Sequence, residues 1–389
     1  MSHPLRWVVV ATLPLLGAGF ALARGKKAMQ AEAPPPEVAA PVELPPAEPA
    51  PALFSGTLPV VIDRLPNGVA SLSAQSCNAC HWTAHDTWTQ SAHASAWKDP
   101  VFQAAYAAAG RSTTCLSCHL PVATQHDQLA NGYLDGDLTR PRLEPNPSFD
   151  ATLMSEGVSC VACHVRDGKV LGTYATDKAP HPLVKSEELR SGALCATCHQ
   201  LTWPGADRPF YDTYGEWELS AYKQAGVQCA DCHMAPVAGS TQPGVTATVA
   251  AHASPTTLDR ALTTLVTVPS SVVQRGQPLP VTLTLLNSGA GHSVPTGNPF
   301  KHYAIEVVLL DAAGKELAPP QGFELARTVE STPPWRTTRD DRLAAGTKRE
   351  WTGSFTPTAK GAAGAGALVV RARRDGKLTE LRRIPLEVR

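Results

Sequence analysis

The sequence predicts a multidomain chain, a first folded part of short helices and loops followed by an all-β, sandwich-like C-terminal domain. Three observations predict it. All ten cysteines lie between positions 77 and 232. Beyond about position 262 the cysteines vanish and apolar residues alternate with polar ones, the period of strands with one buried face. Aromatic residues make up only 6% of the chain, while Pro (35) and Gly (29) are plentiful, so the first part needs a source of core other than large side chains. At 389 residues the chain is long enough for two or three domains.

Residues 1–27 read as a signal peptide or an N-terminal membrane anchor. Arg6 precedes an apolar run from Trp7 to Ala23 that ends in Ala21-Leu22-Ala23, an A-x-A cleavage pattern. Arg24, Lys26 and Lys27 follow at once, which is awkward for cleavage, and the run is short for a membrane span and contains Pro14. A cleaved signal and a retained anchor both stay open. Residues 28–65 read as a Pro/Ala-rich linker, extended and semi-rigid over 33–52.

The cysteines explain the next part, residues 66–260. They fall in five C-x-x-C pairs with none left over: Cys77-Cys80, Cys115-Cys118, Cys160-Cys163, Cys195-Cys198 and Cys229-Cys232. Each pair is followed immediately by histidine, namely His81, His119, His164, His199 and His233. That is the c-type haem attachment pattern. The two thiols reach the two vinyl groups of one porphyrin, and the adjacent imidazole meets the iron as proximal ligand. A disulfide framework or zinc sites would use C-x-x-C pairs but would not call for a histidine after each. The expectation is five covalently bound haem c groups.

The motif starts are 38, 45, 35 and 34 residues apart, too irregular for a solenoid. Short helices and loops around porphyrins are expected instead, including helices over 99–110 and 213–226, each closed by a glycine. A macrocycle covers several times the surface of a leucine and contributes on the order of 5–10 kcal/mol, so the cofactors are the core here. Residues 261–389 carry the strand signals. "VTLTLL" (281–286) puts Val281, Leu283 and Leu285 on one face, "AIEVVLL" (304–310) does so with Ile305, Val307 and Leu309, and Asp375-Gly376 is a hairpin dipeptide.

Several stretches resemble the cytochrome c-554 family of multihaem cytochromes. They are "CNACH…W…SAHASAW…DPVF" in 77–102, "TCLSCHLP" (114–121), "EGVSCVACH" (156–164) and "LCATCHQ…YDTYGEWELSAYKQAGVQCADCHM" (194–234). The resemblance covers roughly 75–260 and implies an electron-transfer fold with closely spaced haems. It also implies that the histidine of the S-x-H-A element, here His93, is a distal ligand.

The second axial position on each iron separates a wire from a catalyst, since a bis-histidine haem has no place for substrate. Eight histidines lie outside the motifs, and His3 belongs to the signal. His93, His126, His181, His252 and His292 are the preferred distal ligands. His252 follows the last motif, where similar proteins present one. His181 precedes the fourth motif by fourteen residues, and His126 follows the second motif by seven. His292 lies in "NSGAGHSVPTG" (287–297), a loop resembling one in β-domains appended to multihaem cytochromes, whose glycines allow close approach to a flat ligand. His85 is expected to be a bystander and His302 structural. Should His126 fail, one haem is open.

Lys+Arg and Asp+Glu balance at 34 each, which gives no bias toward nucleic acid. Five haems would add about ten propionate charges and make the haem edges acidic. The expected function is a periplasmic or exported electron carrier, with no catalytic residues of its own. Its partners would be a membrane quinol-oxidising donor and another cytochrome, and the N-terminus could hold it to the inner membrane. The alternative is a reductase or oxidase of a small nitrogen or sulfur compound at one five-coordinate haem.

Overall fold

A computed structural model describes residues 59–389 except 135–139, 203–205, 255–256, 333–334 and 359–362. The expected signal or anchor and most of the linker lie outside these residues. Among the described residues no helix is long and apolar enough to cross a membrane. All of them fall within one unit, Pro49–Arg389.

The C-x-x-C-H motifs lie on helices, which gather their side chains on one face. Residues at i, i+3 and i+4 of a helix are neighbours, so C-x-x-C-H brings both thiols and the imidazole to one side. Helices Thr113–His119, Cys160–His164, Gly192–His199 and Cys229–His233 each end on the motif histidine. The first motif spans a junction. Cys77 lies in helix Ala74–Asn78, and His81 stands at the N-terminus of helix Trp82–Thr89.

Helix Pro100–Ala108 follows the expected signals. The Asp99 carboxylate accepts from the Phe102 amide at 2.8 Å, and Pro100 occupies the first turn, where its missing N–H costs nothing. Gly110 takes φ +66°, which closes the helix with Arg111 N–H donating to the Tyr106 carbonyl at 2.9 Å. The single helix expected over 213–226 is instead two, Thr213–Glu218 and Ala221–Gln224. Ser220 is the reason. Its hydroxyl accepts from Lys223 N–H, and such a side chain starts a new helix more readily than it continues one.

Residues 262–388 form two facing sheets. One has the strand order 262–267, 279–287, 348–355, and the other 272–273, 377–388, 364–374, 302–310, 321–329, 337–340. Val281, Leu283 and Leu285 are buried on one side, and Ile305, Val307 and Leu309 on the other. In register, Val307 faces Val370 and Leu309 faces Leu368. Asp375 and Gly376 have φ of 50° and 75°, the doubly positive backbone of a type I′ turn, and join Arg374 to Lys377. The sandwich core holds 22 buried apolar residues, whereas the cluster between 60 and 165 holds only six. Side chains therefore fill the sandwich but not the cysteine-bearing part.

Candidate haem-binding site

Four of the five motif histidines face a histidine from elsewhere in the chain. Ring centroids are 6.4 Å apart for His81 and His181, 6.3 Å for His199 and His93, 6.2 Å for His164 and His252, and 6.2 Å for His233 and His292. Imidazoles in direct contact would be closer. Two metal–nitrogen bonds of about 2.0 Å, with about 1.1 Å from nitrogen to ring centre on each side, require about 6.2 Å. The residues fit an iron held between two histidines.

Each non-motif histidine is held by its own device. Val158 N–H donates to the His93 carbonyl at 3.0 Å, and Gly157 (φ +64°) lies so close that a Cβ there would be 2.6 Å from the same oxygen. Gly68 (φ +81°) likewise lets the chain pass the Pro180 carbonyl beside His181. The hairpin Pro236–Gln242 and Val245–Ala250 carries the chain to His252, whose N–H donates to Thr87 Oγ1 at 2.9 Å. His292 comes from the loop after strand Leu279–Asn287, in the sandwich.

Tautomers follow from the neighbours. Nδ1 of His119, His164, His252 and His292 lies 2.8–3.0 Å from the carbonyls of Ala96, Leu171, Ala250 and Ser293. A carbonyl only accepts, so Nδ1 carries the proton and Nε2 keeps its lone pair for a metal. Burial, with His93 and His164 as neighbours, pushes His199 and His252 respectively down to about 4, which keeps both imidazoles neutral at pH 7. Nδ1 of His181 is buried without a hydrogen-bond partner, as a nitrogen with another ligand would be.

The second motif departs from this arrangement. His126, expected as its distal ligand, is 4% exposed and donates from Nε2 to the Leu120 carbonyl at 2.6 Å. It faces no motif histidine, which corrects the expectation. The seven-residue spacing lets the chain turn His126 back onto Leu120, at the end of its own motif helix, so the ring serves as a buried cross-link. Phe102 stacks on the face of the His119 ring at 3.6 Å and 10°. Trp97 and Tyr106 pack on Phe102, and Tyr211, pushed up to about 12 chiefly by burial, lies beside Cys118 and Cys115. Among the described residues no second imidazole faces His119. The motif "DPVF" was legible in sequence, but the contact of Phe102 with His119 was not.

His85 packs at 5.5 Å from Trp88, and His302 is exposed. All ten cysteines are free, and among the described residues no cluster of three or more His, Cys, Asp or Glu could hold a bare metal ion. The thiols meet across motifs: Cys77 with Cys160, Cys118 with Cys198, and Cys195 with Cys229 share hydrogen bonds. Cysteines of different motifs thus meet in three pairs.

Among known structures the fold is similar to that of a penta-heme cytochrome c552 from Thermochromatium tepidum. That chain is 17% identical, with a TM-score of 0.58 over 82% of this chain and 100% of that one. An alkylpurine DNA glycosylase from Pseudomonas fluorescens (14% identical, TM-score 0.22, 33% of this chain and 30% of that one) is also similar over a short part. So is a CARDB domain from Pyrococcus furiosus (16% identical, TM-score 0.21, 33% and 86%). These two overlaps carry no argument. No curated protein matches. The described residues thus share the fold of a penta-heme cytochrome c. More particularly, residues 76–138 match the family described as cytochrome c554 and c-prime, the resemblance expected from the sequence.

Proposed function

We propose that this protein is an exported, periplasmic electron carrier with five haem c groups, four of them bis-histidine. The pairs are His81/His181, His199/His93, His164/His252 and His233/His292. The observation that carries the reading is the common 6.2–6.4 Å ring separation in all four. When bound, each haem supplies a one-electron centre. The chain would anchor each macrocycle through two thioethers, fix imidazole tautomers through backbone carbonyls, and at the four paired sites shut water out from both histidines. The three thiol contacts support a continuous relay from the first motif to the third, and from the second through the fourth to the fifth.

A second reading has one specific observation in its favour. His119 faces Phe102 and no imidazole, so its iron would be the place where a small nitrogen or sulfur compound binds. Electron paramagnetic resonance of the oxidised holo-protein, with haem counted as pyridine haemochrome, tests both readings. Five haems with four low-spin and one high-spin are expected. Nitrite, hydroxylamine and tetrathionate would then be tried as ligands of the high-spin site. Fewer than four low-spin haems would end the carrier reading.

Partners follow from charge. Haem propionates on a chain of zero formal charge favour a donor or acceptor cytochrome with lysines around its own haem. A membrane quinol-oxidising protein is the proposed donor. Electron-exchange rates with a basic cytochrome are expected to fall as ionic strength rises from about 0.01 M to 0.15 M, where the Debye length shrinks to about 8 Å. Stopped-flow traces that do not change with salt would refute the acidic docking edge.

A further inference from the structure

The His292 loop is held from the cytochrome part by a carboxylate that neither the motifs nor the ligand pairs explain. Glu216 lies in helix Thr213–Glu218, just before the fifth motif. Its Oε2 accepts from Ser293 N–H at 3.0 Å and from Thr296 Oγ1 at 2.8 Å, so it grips the residue next to His292 and one four positions on. Its Oε1 accepts from Arg342 Nη1 at 2.5 Å. Arg342 also donates through Nε and Nη2 to Asp340, at 2.8 and 2.9 Å. The Arg342 and Glu216 side chains are only 8% and 11% exposed.

Other contacts also bring the loop to this face, among them Thr213 Oγ1 against Thr296 Oγ1 at 2.9 Å. Tyr222 OH donates to the Ser288 carbonyl, and a Cβ on Gly291 would be 3.1 Å from Trp217. Asn287 Nδ2 donates to the His292 carbonyl at 2.8 Å. Only Glu216 reaches across from the cytochrome part to the backbone N–H immediately after His292. The His233/His292 rings are also the most nearly parallel pair, at 17° against 42–58° for the others.

We propose that Glu216, its charge balanced by Arg342, is a positioning residue that holds His292 at the axial position opposite His233. This rests on the reading of His292 as a distal ligand. It makes saturation of that haem depend on the sandwich being docked against helix Thr213–Glu218. A neutral amide cannot replace the carboxylate. Glutamine has one acceptor oxygen for donors on two sides, and its NH2 must face either Arg342 or the Ser293 and Thr296 donors.

The test compares H292A and E216Q in the holo-protein by electron paramagnetic resonance and by cyanide bound per chain. H292A should add one high-spin, cyanide-binding haem to the wild-type count. If it adds none, His292 is not a ligand and the underlying reading fails. With H292A behaving as expected, E216Q at full haem content should reproduce its added high-spin signal. A wild-type spectrum and cyanide count in E216Q would overturn the positioning role while leaving His292 as ligand. Should E216Q not accumulate, T296V decides. It removes the Thr296 bonds to the carboxylate and to Thr213 Oγ1 and should speed cyanide entry at one haem about tenfold relative to T213V, which removes only the second, whereas equal rates overturn the proposal.

Discussion

Made without haem attachment, the chain is expected to lose ordered structure over residues 59–260 while strands from 262 to 388 persist. The cause is the distribution of apolar burial. The sandwich has 22 buried apolar residues of its own, including Phe355, Leu283, Leu309 and Leu325, all 0% exposed. The other part has a cluster of six, centred on Val60, Val122 and Val161, and its motif helices are five to eight residues long. Helices that short do not stand alone in water. Each absent macrocycle would withdraw on the order of 5–10 kcal/mol from a region with little else to replace it. Hydrogen exchange of the apo-protein reads this directly. Protected amides in 113–119 and 192–199 without haem would show that side chains suffice.

Alanine in place of His93 or His252 is expected to convert one low-spin haem into a high-spin one, whereas His126→Ala leaves every haem as it was. His93 and His252 each stand 6.2–6.3 Å, ring to ring, from a motif histidine. Removing either leaves an iron with one protein ligand. His126 instead spends Nε2 on the Leu120 carbonyl, and its loss leaves that buried acceptor unpaired, at a cost of about 1–3 kcal/mol. The three variants thus separate by instrument. The first two change the electron paramagnetic resonance spectrum, and the third changes only thermal stability. A new high-spin signal in His126→Ala would return His126 to the ligands and close the iron of His119.

Much of the site was legible in the chain itself because covalent attachment is a local problem. Two thiols and an imidazole must share one turn of helix, and C-x-x-C-H writes that requirement in five consecutive residues. Ligation from the distal side is not local. Resemblance brought His93, His252 and His292 forward, distance from a motif brought His181 and His126, and neither separates His126 from the others. What separates them is backbone path. Gly157 and Gly68 allow the close approaches that seat His93 and His181, whereas the chain after Cys118 turns His126 back onto Leu120.

The same division holds for the whole fold. By itself the sequence determined the five C-x-x-C-H motifs, the alternation of Val281, Leu283 and Leu285, and the Asp375-Gly376 turn, since each is set by neighbours within a few residues. Only the tertiary structure decided that Phe102 stacks on His119 and that Glu216 grips the loop of His292. Those outcomes depend on groups 17 to 80 positions apart in the chain, and contacts over such separations leave no period or motif to read.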